Sequence, residues 1–112
     1  MTNERLEAAC IGGLLLNPSM LQIAELVLEP EAFSEPTWQL VFRTLVGMSG
    51  REITATSVVA ELKANGDFER VGGAAALADA VNVFPSGRRV LDLVGAVSAA
   101  SDARRGGEEV TR

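Results

Sequence analysis

The sequence predicts an all-α fold, a compact bundle of about six helices. Three observations carry that reading. Apolar residues recur at three- and four-residue spacing through most of the 112 residues, which is the period of a helix with one buried face. No segment sustains the period-two alternation of a half-buried strand. Proline, glycine or a capping residue stands at nearly every point where one helical stripe gives way to the next.

The first helix starts at Thr2 or Asn3 as cap, with Glu4 favourably placed in its first turn. Leu6, Cys10, Gly13 and Leu14 fall on one of its faces. It ends near Asn17, because a residue before proline is pushed out of the α region. Asn17-Pro18 opens a second helix as cap and first residue. Leu21, Ala24 and Leu28 form its stripe, widened by Ile23, Leu26 and Val27, and Glu29-Pro30 closes it. Pro30 to Phe33 reads as a single turn that plugs Phe33 into the core.

Ser34 is the predicted cap of the third helix, with Glu35 and Pro36 in its first turn. Trp38, Val41, Phe42, Leu45 and Met48 give the cleanest stripe in the chain, so this is expected to be the central helix. Thr54 caps the fourth, with Ile53 and Val58 at the positions of a hydrophobic staple. Gly66 stands where a left-handed cap belongs, Phe68 and Val71 look like anchors, and Gly72-Gly73 opens a fifth helix through Leu77, Val81 and Phe84. The hairpin from Val58 to Phe84 is expected to bring its two helices together and to form the packing centre. Pro85 breaks the chain, and Ser86 caps a last helix carrying Val90, Leu93, Val94 and Val97. Residues 1–105 are expected to make one domain, with 106–112 a disordered tail lacking an apolar pattern.

Composition excludes several functions. The chain has 15 acidic and 10 basic residues, a net charge of −5, whereas a duplex-binding module normally has the opposite balance. No apolar run approaches the roughly 18 residues of a membrane span. One cysteine, Cys10, suits a reducing cytosol and reads as a small buried hydrophobe. There is no histidine or tyrosine, and no phosphate-loop or metal-ligand spacing, so no catalytic residue, cofactor or metal site is expected. Trp38 reads as a core anchor. Gly12-Gly13 and Gly72-Gly73 fit close helix packing and a helix start better than approach to a ligand.

The last helix carries the candidate site. Small residues surround its Val/Leu stripe, and Arg88 and Arg89 fall in its first turn, against the helix dipole. Val90, Leu93, Val94 and Val97 with Arg88 and Arg89 therefore form a candidate protein interface; docking on the chain's own domain is the plainer alternative. The rival function is a small helical DNA-binding regulator using Arg88-Arg89 and Arg104-Arg105.

The segments LEAACIGGLLLNPSML, EPEAFSEPTWQLVFRTL and ITATSVVAELKANGDFERVGGAAALADAV, followed by Pro85-Ser86, resemble in their order the N-terminal domain of DnaB-type replicative DNA helicases. The likeness spans roughly residues 4 to 105. It implies a non-catalytic module of DNA replication that self-associates or meets a replicative helicase or primase; a cytoplasmic setting is expected, and the charge and hydropathy above add the expectation of no direct nucleic-acid contact and no membrane. It does not imply helicase activity, because the family's nucleotide site lies in a separate RecA-like domain. Trp38 stands where the family commonly has a histidine, and the last helix is reduced to small residues. Met1 and the polar end at Arg112 favour a free-standing protein over a piece of a longer helicase.

Overall fold

A computed structural model describes residues 3–85 and 87–110, with side chains for 4–85 and 87–105. Six α-helices are described: α1 (Asn3–Leu16), α2 (Leu21–Val27), α3 (Pro36–Gly47), α4 (Ala55–Ala64), α5 (Gly73–Val83) and α6 (Val90–Val110). Short 3-10 turns at Pro18–Met20 and Pro30–Ala32 lead into and out of α2. No strand occurs among the described residues. The all-α bundle read from the periodicity is the observed fold.

The centre of that bundle is α1, not the hairpin and not α3. It packs against α5 and α6 most extensively and also meets α3. Ala8, Ala9, Cys10, Ile11 and Leu14 are all buried, so the helix has apolar neighbours on most sides. A helix buried all round shows no stripe, which is why α3, with its cleaner pattern, looked central. Nor is the Val58–Phe84 segment the packing core. Residues 65–72 are long enough to let α4 pack on α3 while α5 packs on α1, rather than chiefly on each other.

The approach of α5 to α1 depends on two glycines. A Cβ on Gly12 would overlap the carbonyl oxygen of Ala80, and one on Gly13 would stand 2.7 Å from the Phe84 ring. The backbones meet where only hydrogen fits, so here the packing reading of Gly12-Gly13 holds.

Glu7 is the one charged residue buried in the core among the described residues, 2% exposed. Its carboxylate accepts hydrogen bonds from the Ser34 N–H at 2.8 Å, the Ser34 hydroxyl at 2.7 Å and the Glu35 N–H at 3.0 Å. Ser34 is therefore not the cap of α3. The N-cap is Glu35, which makes no side-chain capping bond, and the acceptor comes from α1 instead. A carboxylate at this end of a helix also meets the positive pole of its dipole.

Local signals were read more directly. Thr54 and Ser57 form a reciprocal capping box at the start of α4. Its end is a Schellman motif: Gly66 has φ +74, Asp67 donates to the Leu62 carbonyl and Gly66 to that of Lys63. Phe33 is fully buried and lies 5.1 Å from the Phe42 ring centre. Val71 is buried, and Gly72, in the left-handed region, caps α5. Asn17 departs from expectation. Its side chain caps nothing ahead of it and instead donates back to the Gly13 carbonyl, closing α1. The start of α6 is at Val90, so Arg88 and Arg89 precede the helix rather than opposing its dipole within it. The predicted caps Thr2 and Ser86 lie outside the described residues. Helical backbone continues to Val110, into the stretch without an apolar pattern.

Two outcomes follow for stability. Gly12→Ala should cost about 1–3 kcal/mol in urea unfolding, because α1 and α5 must separate to admit the methyl group. Glu7→Gln keeps the shape but cannot accept three hydrogen bonds as a carboxylate does. It should cost about 1–3 kcal/mol, and a double-mutant cycle with Ser34→Ala should show coupling between the two residues.

Candidate functional site

The predicted interface on α6 divides into two parts. Val90, Leu93, Val94 and Val97 are all buried, and their contacts are with the domain's own core. Arg88 and Arg89 are exposed. They border a shallow recess with Asn17, Met20, Phe84 and Leu91. The Val/Leu stripe thus holds α6 onto α1 and α2, and what α6 offers outward is a different face, including Leu91, Asp92, Gly95, Ala99 and Asp102.

Arg104 is drawn inward as well. Its guanidinium donates to the Ala32 carbonyl at 2.7 Å, tying the second half of α6 to the turn before Phe33. Of the basic pairs behind the DNA-binding alternative, Arg104 is thereby engaged within the fold and Arg105 is left exposed.

The clearest apolar exposure lies on α2, although its apolar spacing predicts one wide inward stripe. Ile23 is 43% exposed, Leu26 86% and Val27 50%. Only Leu21 and Ala24 of this seven-residue helix, with Leu28 just beyond it, reach the core. The signal that could have found the others was width. A stripe of six apolar residues on two turns is broader than one packing face, so part of it had to look outward. Behind this ridge, α2 and α6 bound a groove of about 240 Å³ lined by Glu25, Leu26, Glu29, Ser98, Asp102 and Arg105. One carboxylate oxygen of Glu25 is out of solvent with no hydrogen-bond partner, as is one guanidinium nitrogen of Arg104.

A separate groove of about 450 Å³, this one apolar, opens between α4 and α5 beneath the end of α1. Leu15, Leu16, Val59, Leu77 and Val81 line it, with Leu16 53% exposed. Polar groups suited to acid–base work do not converge in it. Among the described residues, no group of three or more histidine, cysteine, aspartate or glutamate side chains is placed to hold a metal ion. No single helix among them is long and apolar enough to cross a membrane.

Cys10 is buried on α1, one helical turn from Glu7. Burial, with a smaller contribution from the Glu7 charge, pushes its thiol from 9.0 up to about 12. Such a thiol is a core side chain and a poor nucleophile.

Several comparisons agree over most of the chain. A family model described as the DnaB-like helicase N terminal domain matches residues 1–99. The chain is 30% identical over 90 residues to the replicative DNA helicase DnaC of Bacillus subtilis, a match covering 79% of this chain and 20% of that protein. It is 29% identical over 86 residues to the replicative DNA helicase DnaB of Geobacillus stearothermophilus, covering 75% and 19%. Among solved structures, the N-terminal domain of DnaB helicase from Mycobacterium tuberculosis superposes with a TM-score of 0.88 at 27% identity, covering 96% of this chain and 80% of that one. The chain thus spans about a fifth of the two full-length helicases.

The thiol's environment gives a pH test. Cys10 should resist alkylation at pH 8 in the native protein and react once urea unfolds it. Its folded-state proton is held above the ordinary value, so the folded chain binds more protons between pH 9 and 12. Stability relative to Cys10→Ala should therefore be flat below pH 9 and fall as pH rises through that window.

Proposed function

Because the chain belongs to the DnaB-like helicase N-terminal domain family, we propose that it is a non-catalytic protein-interaction and oligomerisation module of DNA replication. In this reading it meets a second copy, a replicative helicase or a primase. In this role the domain itself does no catalysis, acts in the cytoplasm and makes no direct contact with nucleic acid. The observation that carries the reading is the unspent apolar surface. The core is closed around α1, yet Leu16, Ile23, Leu26, Val27 and Leu91 remain at least 40% exposed. Three of them, Ile23, Leu26 and Val27, lie together on α2 outside the core, as a partner surface requires.

Arg88 and Arg89, exposed just ahead of α6, remain part of the proposed contact and suit an acidic partner. Val90, Leu93, Val94 and Val97 support it from below by holding α6 in place. The DNA-binding alternative is weakened, since Arg104 is committed to Ala32 and the net charge is −5.

Sedimentation of the chain alone over a range of concentrations, and mixed with the helicase and primase of its own source, tests this. The expected result is a larger species in at least one arm. A monomer throughout, with no co-sedimentation, would overturn the proposal; strongly salt-dependent binding to duplex DNA would then favour the regulator.

A further inference from the structure

The ridge on α2 has a more specific character than a bare apolar patch. Leu26 projects almost wholly into solvent, with Ile23 and Val27 beside it. Directly behind it, the groove against α6 carries three carboxylates, Glu25, Glu29 and Asp102, and one exposed cation, Arg105. Apolar centre and acidic rim together describe the complement of a helix with leucine-like residues on one face and lysine or arginine beside them.

Charge also separates the two possible occupants. A second copy would bring the same three carboxylates and a net charge of −5 to the meeting. A basic segment gains from that field rather than opposing it. We infer that the Ile23–Leu26–Val27 ridge and the groove between α2 and α6 dock a basic amphipathic helix of a partner protein. This rests on the reading of the domain as an interaction module and names the surface and the chemistry of its partner.

The test uses the full chain, isotope-labelled, titrated with a synthetic helical peptide of leucine, lysine and alanine about 14 residues long, roughly four turns. A control peptide has glutamate at every lysine. The leucine–lysine peptide should shift amide resonances of α2 and the second half of α6, and bind less well as salt is raised. Leu26→Glu should weaken it by about tenfold or more, as loss of a central apolar anchor does. Glu29→Lys should weaken it less, and Asp79→Lys, on the exposed side of α5, should leave it nearly unchanged. All three positions are exposed, so circular dichroism should show each variant folded. Equal binding of the glutamate peptide, shifts confined to the α4–α5 groove, or indifference to Leu26→Glu would each overturn the inference, as would no binding. Concentration-dependent self-association of the wild type, abolished by Leu26→Glu, would assign the ridge to a second copy and overturn it too. If helicase or primase binding survives Leu26→Glu undiminished, this inference falls while the interaction reading stands.

Discussion

Glu7 fixes how the central helix sits. The rest of the buried surface of α1 is alanine, cysteine, isoleucine, leucine and glycine, and hydrophobic burial is non-directional. Such a helix could turn about its axis at modest cost. A buried carboxylate cannot, because away from its donors it would carry the desolvation of an uncompensated charge. Three hydrogen bonds from Ser34 and Glu35 therefore set the rotation of α1 and the start of α3 together. With that rotation set, Gly12 and Gly13 face α5 and Phe84, and the aliphatic side chains fill the space towards α6. Phe33, immediately before Ser34, is seated against Phe42 by the same clasp.

What the sequence made legible was what is decided within a few residues. The Thr54 cap, the Gly66 cap, the Pro30–Phe33 plug and the start of α5 at Gly72-Gly73 each depend on neighbours in the chain, and each stands as read. What it obscured was decided across the chain. Ser34 has the residue type of a helix cap, and nothing nearby reveals that an acid on α1 takes its hydroxyl. The most buried helix shows the weakest stripe, so pattern strength pointed to α3. Residues 65–72 looked like a tight corner, yet their anchors Phe68 and Val71 let α4 and α5 take different partners. On α6, apolar spacing located a packing face without saying whether its partner was this domain or another.

The same division explains the surface. The stripe that made α6 a candidate interface is consumed in building the domain, and Arg104 reaches inward to secure it. The short helix α2, pinned by a 3-10 turn at each end, can present only one narrow face to the core. Its remaining apolar residues have nowhere inside to go. Architecture of this kind leaves a sticky ridge as a direct result of closing the core, and the acids beside it bias what can settle there.

The meeting of Gly12 with Ala80 has a consequence for synthesis. A ribosome releases α1 before α5 and α6, and the central helix has its widest contacts with those two later elements. Folding cannot then proceed as a growing N-terminal nucleus. The emerging chain must carry an apolar, incompletely covered α1 until nearly the whole domain is free of the exit tunnel. The window before α5 and α6 emerge is when this apolar helix most needs shielding from its neighbours.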